Sequence, residues 1–185
     1  RHAGNGNAEK AWSSIKPVLD QQQIDYHMET TKYPNHGEYL ASQIAQSHNA
    51  GSTIVIAIGG DGTLHQVVNG LMKTAKRLNK NPLAVGYIPA GTGNDFARGY
   101  GISMHPQRAL NQILTADAPQ KINIGHYHEA IRGEEGYFLN NLGIGFDAAI
   151  VSRANTFKEK KKKNHIGRFT YLQKAIGVIY DQEPF

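Results

Sequence analysis

The strongest constraint on the fold is one continuous apolar run, Thr53-Ile54-Val55-Ile56-Ala57-Ile58, which passes without a spacer into Gly59-Gly60-Asp61-Gly62. A run that is apolar at consecutive positions must be covered on both faces, and a central strand of a parallel sheet provides that cover. The glycines permit a tight turn. Leu64, Val67, Val68, Leu71 and Met72 then recur at helical spacing. The unit is therefore strand, turn, helix.

A similar unit follows. Leu83 to Ile88 forms a second apolar strand, Pro89 and the loop Ala90-Gly91-Thr92-Gly93-Asn94-Asp95 come next, and a short helix is expected near Asp95 to Arg98. A longer helix is expected over Pro106 to Leu114. Upstream, Ala11, Trp12, Ile15, Val18 and Leu19 mark a helix that Pro17 is expected to bend or restart. Ile24 to Thr30 alternates like a strand, and Tyr39, Leu40, Ile44 and Ala45 mark a helix starting near Asn35 to Gly37. Strands alternating with helices predict right-handed crossovers and an α/β fold with an open parallel sheet, with ligands at the carboxyl ends of the strands.

After Ala118 the pattern changes. Ile122 to Tyr127 and Tyr137 to Leu142 are expected to be strands joined through Gly133-Glu134-Glu135-Gly136, with a helix from Ile166 to Tyr180. The expected organisation is a first α/β lobe over residues 1–118 and the start of a second, mainly antiparallel β lobe over residues 119–185. Both ends are expected to continue: a strand should deliver the turn Ala3-Gly4-Asn5-Gly6, and more strands should follow Phe185.

Composition removes several classes. The chain has no cysteine, which excludes disulfides, thiolate metal sites and cysteine nucleophiles. No apolar run approaches the roughly 20 residues needed to span a bilayer, and the first residues lack a signal-peptide pattern, so a cytoplasmic location is expected. The net charge is +5, of which Lys158-Glu159-Lys160-Lys161-Lys162-Lys163 supplies +4. Charge confined to one segment, without interleaved aromatics, argues against nucleic acid as a partner.

Gly59-Gly60-Asp61-Gly62-Thr63 combines a buried strand with a helix N-terminus whose free amides can hold phosphate oxygens. A carboxylate at Asp61 suits such a site when a divalent cation or a proton-bearing acceptor lies between it and the phosphates. The bland alternative is a tight turn in which Asp61 caps a helix. Gly91-Thr92-Gly93-Asn94-Asp95, at the end of the other strand, is expected to bring Asp95 to the same sheet edge. Neither the P-loop nor the dinucleotide glycine motif occurs.

Gly59-Gly60-Asp61-Gly62-Thr63-Leu64 with Val67-Val68-Asn69-Gly70, together with Pro89-Ala90-Gly91-Thr92-Gly93-Asn94-Asp95-Phe96, resembles the catalytic domain of diacylglycerol, sphingosine and ceramide kinases and their bacterial lipid-kinase relatives. Ala3-Gly4-Asn5-Gly6 resembles the family's first phosphate turn, and Asn140 to Asp147 the opening strand of its second lobe. The resemblance implies a nucleotide-binding first lobe, with ATP across Thr31, Gly59, Gly60, Gly62, Thr63, Gly91, Thr92, Gly93 and Asn94. It implies that Asp61 and Asp95 are catalytic, that Asp61 also holds magnesium, and that the γ-phosphoryl group passes to a lipid hydroxyl such as that of diacylglycerol.

The lipid would be met peripherally, at an anionic membrane surface, and a homodimer is compatible with the same resemblance. His65-Gln66 stands where the family often has Asn-Glu, and Asn5 where many members have a lysine. The family's general base would lie beyond Phe185, so residues 1–185 alone are expected to be inactive. NAD kinase, which shares Gly-Gly-Asp-Gly, and a noncatalytic nucleotide- or lipid-binding module are the alternatives. His126 and His128 would share a strand face, where solvent exposure is commoner than metal binding, and Trp12 fits a core position.

Lys158 to Lys163 is expected to be a solvated loop that can meet anionic headgroups. Near such a surface each lysine contributes up to about 1 kcal/mol, an effect that salt screens. Replacing Lys160 to Lys163 by glutamine in the full-length protein is expected to weaken cosedimentation with anionic vesicles and flatten its salt dependence. Equal sedimentation of wild type and variant would leave the run a solvated loop.

Overall fold

The computed structural model describes residues 6–131 and 133–140. They belong to a compact unit that ends at Asn140 and takes in a β-hairpin. The elements run α1 (Asn7–Gln21), α2 (His36–Ser47), β1 (Ile54–Gly59), α3 (Asp61–Leu78), β2 (Ala84–Pro89), α4 (Asp95–Gly99), α5 (Pro106–Leu114), β3 (Gly125–Glu129) and β4 (Glu134–Phe138).

β1 and β2 pair in parallel from Ile54↔Ala84 to Gly59↔Pro89, so both strands end at one edge. Their side chains alternate between two cores, as the strand period of two requires. Ala57 and Tyr87 belong to a core with Ala41 and Ala45 of α2 and Leu64, Val67, Val68 and Leu71 of α3. Ile88 faces the other core, with Ile15 and Leu19 of α1 and Ala109 and Leu110 of α5, and Ile56 and Ile58 pack against it. The result is a mixed α/β fold, a parallel sheet covered on both faces, plus a separate antiparallel pair β3–β4.

α2 and α3 approach closely at Gly70, where a Cβ would run into the Glu38 carbonyl oxygen and come within 2.8 Å of Ala41 Cβ. The Ser42 and Thr74 hydroxyls, 2.8 Å apart, and the Lys73–Glu38 ion pair flank this contact. The neighbouring Asn69 is buried in α3. Its Nδ2 donates to the Tyr137 carbonyl at 2.8 Å, and its Oδ1 accepts the Tyr137 N–H at 2.9 Å. One side chain thus pairs with β4 as a strand would, and fastens the hairpin to α3.

Four sequence expectations change. α1 runs through Pro17 without restarting, because Ile15 and Leu19 on either side of it are anchored in one core. Ile24 to Thr30 is not a strand: it leaves α1 through Gln23, with positive φ, and joins no ladder among the described residues. Tyr26 there packs edge-on against Trp12 and donates to Asp20. The hairpin register pairs Glu129 with Glu134, so Glu134-Glu135-Gly136 lies in β4 and the turn precedes it. β3 starts at Gly125, leaving Ile122 to Ile124 outside the ladder. Ala3 to Asn5, the continuation of β4 past Asn140, the lysine run and the Ile166 to Tyr180 helix lie outside the described residues.

Asn69→Ala is expected to cost about 2–4 kcal/mol, because it leaves a buried N–H and C=O of Tyr137 without partners. Urea titration of wild type and variant checks this; a loss below about 0.5 kcal/mol, the level of an ordinary surface substitution, would rule out the strand-like role.

Candidate active site

The parallel register places the turns after β1 and β2 side by side. The Ala90 N–H donates to the Gly59 carbonyl at 2.6 Å, carrying the ladder past the strands. Gly60 and Gly91 then touch backbone to backbone: a Cβ on Gly91 would collide with Gly60 Cα. Glycine at 91 is a packing requirement here, and a Cβ on Gly60 would lie a tight 3.2 Å from Gly91 Cα. Thr63 folds back over Gly59, Gly62 is open to solvent, and Thr92 is exposed.

Asp61 is the first residue of α3, yet its carboxylate serves another helix. Oδ2 accepts the Asp95 N–H and Oδ1 the Phe96 N–H, each at 3.1 Å. These are first-turn amides of α4, whose own N-cap residue, Asn94, supplies no side-chain cap. Asp61 therefore does cap a helix, the one across the site, and its negative charge suits that helix end. The Asn140 amide reaches Asp61 Oδ1 at 3.4 Å.

Asp95 stands free by comparison, its side chain 73% exposed, with Arg98 Nη1 at 3.0 Å from Oδ1. Arg98 also donates to the Gly93 carbonyl. Both carboxylates border Gly93: the point that a Cβ there would occupy lies 3.1 Å from Asp61 Oδ2 and 3.6 Å from Asp95 Oδ2. Such a pair fits magnesium, which is commonly held by one or two carboxylates together with waters and phosphate oxygens. Among the described residues no group of three or more His, Cys, Asp or Glu is gathered as metal ligands. His126 and His128 lie on the exposed face of β3, with His126 beside Glu135.

Asn94 occupies left-handed backbone (φ 54°) and is buried. Its side chain is occupied within the loop: Oδ1 accepts the Gly91 N–H at 2.9 Å and Nδ2 donates to the Gly91 carbonyl at 3.0 Å. Thr31 sits elsewhere, next to the start of α2, where Gln66 Oε1 accepts the Gly37 N–H at 3.2 Å. Gln66 is five residues past Asp61, about 7.5 Å along α3. The structure thus brings Gly59, Gly60, Asp61, Gly91, Gly93, Asn94 and Asp95 together, and connects Thr31 to them through α3. Tyr87 and Arg98 border these turns but fall outside the motifs read from the sequence, whereas Gln66, which stands where the family often has a carboxylate, holds the start of α2. Arg98 follows Asp95 by three residues, a spacing that signals a shared helix face.

The diacylglycerol kinase catalytic domain family matches residues 1–127. The chain belongs to that family. It is 32% identical over 158 residues to the Bacillus subtilis protein named "Putative lipid kinase YtlR", covering 84% of this chain and 48% of that protein. A Staphylococcus epidermidis "Putative lipid kinase" is 28% identical, covering 100% of this chain and 53% of its own length. A Chromohalobacter salexigens "Probable lipid kinase YegS-like" is 36% identical over 107 residues, 58% of this chain and 31% of that protein. The chain spans about half the length of the first two relatives.

Asp61 and Asp95 should separate in stability measurements. Asp61→Asn leaves one oxygen for two amides and is expected to cost about 1–2 kcal/mol. Asp95→Asn, at an exposed side chain, should stay within about 0.5 kcal/mol of wild type. Parallel denaturant titrations read the difference, and equal losses would remove the capping assignment from Asp61.

Proposed function

We propose that this chain forms the nucleotide-binding region of an ATP-dependent lipid kinase, which transfers the γ-phosphoryl group to a hydroxyl of diacylglycerol or a related lipid. The observation that carries this reading is the convergence of two glycine turns, with Asp61 and Asp95 facing one space at the carboxyl edge of a parallel sheet. Family membership supports the same reaction class. Turn amides at Gly60, Gly62, Thr92 and Gly93 are suited to phosphate oxygens, as at other helix starts and nests, while the Gly91 amide is held by Asn94.

Asp95, together with Asp61 Oδ2, would hold magnesium, which when bound neutralises charge on the phosphate oxygens. The protein's own contribution is positional. Asp61 keeps α4 against the first turn, Arg98 orients the Asp95 carboxylate, and Asp95 offers its remaining oxygen to the reacting hydroxyl or to the metal. Such catalysis rests on alignment and charge stabilisation rather than on a covalent enzyme intermediate.

Among the described residues no helix is long and apolar enough to cross a membrane. On this reading the lipid is approached from the bilayer surface, with the Lys158 to Lys163 segment as the electrostatic contact.

In the full-length protein, transfer from radiolabelled ATP to diacylglycerol in mixed micelles is expected to require magnesium. Asp95→Asn should lower turnover at least ~100-fold without a matching loss of ATP affinity. Nucleotide binding with no transfer to diacylglycerol, sphingoid bases or related lipids would instead establish a noncatalytic binding module.

A further inference from the structure

Tyr87 is a tyrosine in the middle of a strand that is otherwise aliphatic or glycine up to Pro89. It is 3% exposed, and its ring packs edge-on against Phe96 of α4, with centroids 6.2 Å apart. An apolar residue would satisfy that core, so the hydroxyl needs its own explanation. Tyr87 pairs with Ala57, and the phenol reaches two residues further along β1, to the end of the sheet. There its oxygen lies 3.2 Å from the Gly59 carbonyl and 3.2 Å from Asn94 Oδ1.

Each acceptor belongs to a different glycine turn. The Gly59 carbonyl is the last of β1, immediately before Gly60 and Asp61, and it also takes the Ala90 N–H. Asn94 Oδ1 holds the Gly91 N–H and stands immediately before Asp95. Burial, with the nearby charges of Asp61 and Asp95, pushes the Tyr87 phenol far above its ordinary pKa, so the group stays protonated and remains a donor at any working pH.

We propose that Tyr87 is a positioning residue for the phosphoryl-transfer site: its single hydroxyl proton, shared between the Gly59 carbonyl and Asn94 Oδ1, fixes the separation of the two glycine turns and thereby of Asp61 and Asp95. The role rests on the kinase reading above for its consequence in catalysis, and on geometry alone for the clamp. Tyr87 touches neither carboxylate through a hydrogen bond. It acts through the turns that carry them.

Tyr87→Phe in the full-length protein removes the proton and keeps the ring. The melting temperature is expected to stay within about 3 °C of wild type. Hydrogen exchange of the Gly91, Asp95 and Phe96 amides should accelerate about tenfold or more, while the β1 and β2 ladder amides keep their protection. With ATP and diacylglycerol, kcat should fall about tenfold or more with little change in KM for ATP, because alignment of the reacting groups suffers more than ground-state binding.

Asn94→Gly, which suits the left-handed backbone at that position, removes the clamp from its other side and should expose the same amides. A uniform rise in exchange together with a lowered melting temperature would make Tyr87 an ordinary core residue and overturn the proposal. Unchanged exchange and unchanged kcat would overturn it equally. If the wild type transfers no phosphate to any lipid, the kinase reading fails, while the exchange pattern still decides the clamp.

Discussion

The site depends on one hydrogen-bonded contact between elements that are separate in sequence: the Asp61 carboxylate accepts the first two amides of α4. α4 has only five residues and no side-chain cap of its own. A helix of that length has no independent stability in water, since its nucleation cost is not recovered within one turn. Its position is therefore imposed from outside, by Asp61 at its start and by Phe96 and Ala97 in the core. The glycines at 60 and 91 allow this because their backbones meet directly. A side chain at Gly91 would force the two turns apart, and one at Gly60 would crowd them.

The two carboxylates consequently divide their work. Asp61 spends both oxygens on architecture and still presents Oδ2 to the space above Gly93, whereas Asp95 is largely solvated and its carboxylate is paired with Arg98. A site with one fixed and one adjustable acid can accept a ligand without first dismantling its frame. Gln66 fits the same division. Its carbonyl oxygen accepts the Gly37 N–H, the second amide of α2, so an amide side chain serves there as a neutral helix cap.

Much of this was legible in the chain because it is local. Consecutive apolar residues located β1 and β2, helical spacing located α2, α3 and α5, and the two Asp-ending glycine turns put Asp61 and Asp95 on one edge. What was not legible depends on partners distant in sequence. Asn69 and Gly70 stood inside a motif that carried the family resemblance, yet their tasks involve Tyr137, 68 residues away, and the backbone of α2. The Tyr87 hydroxyl likewise finds its partners, the Gly59 carbonyl and Asn94 Oδ1, at the ends of both strands. Ile24 to Thr30 failed for the opposite reason: alternation describes a surface that could join a sheet, and a strand exists only when a neighbour supplies the ladder. Pro17 disrupts one helical hydrogen bond, and the burial of Ile15 and Leu19 outweighs that loss.

The attachment of the hairpin through Asn69 has a consequence for how this fold can vary. A sheet edge normally recognises its neighbour through many peptide groups, so a change of sequence or length along the strand disturbs the whole ladder. Here one helix side chain, Asn69, meets one residue, Tyr137, at both its N–H and its C=O, and Lys76 of the same helix pairs with Glu135 at 2.8 Å. The polar attachment lies within Glu135 to Tyr137. Changes in the chain between α5 and β4 are therefore expected to leave α3 and the glycine turns in place wherever Glu135 and Tyr137 stay presented to α3.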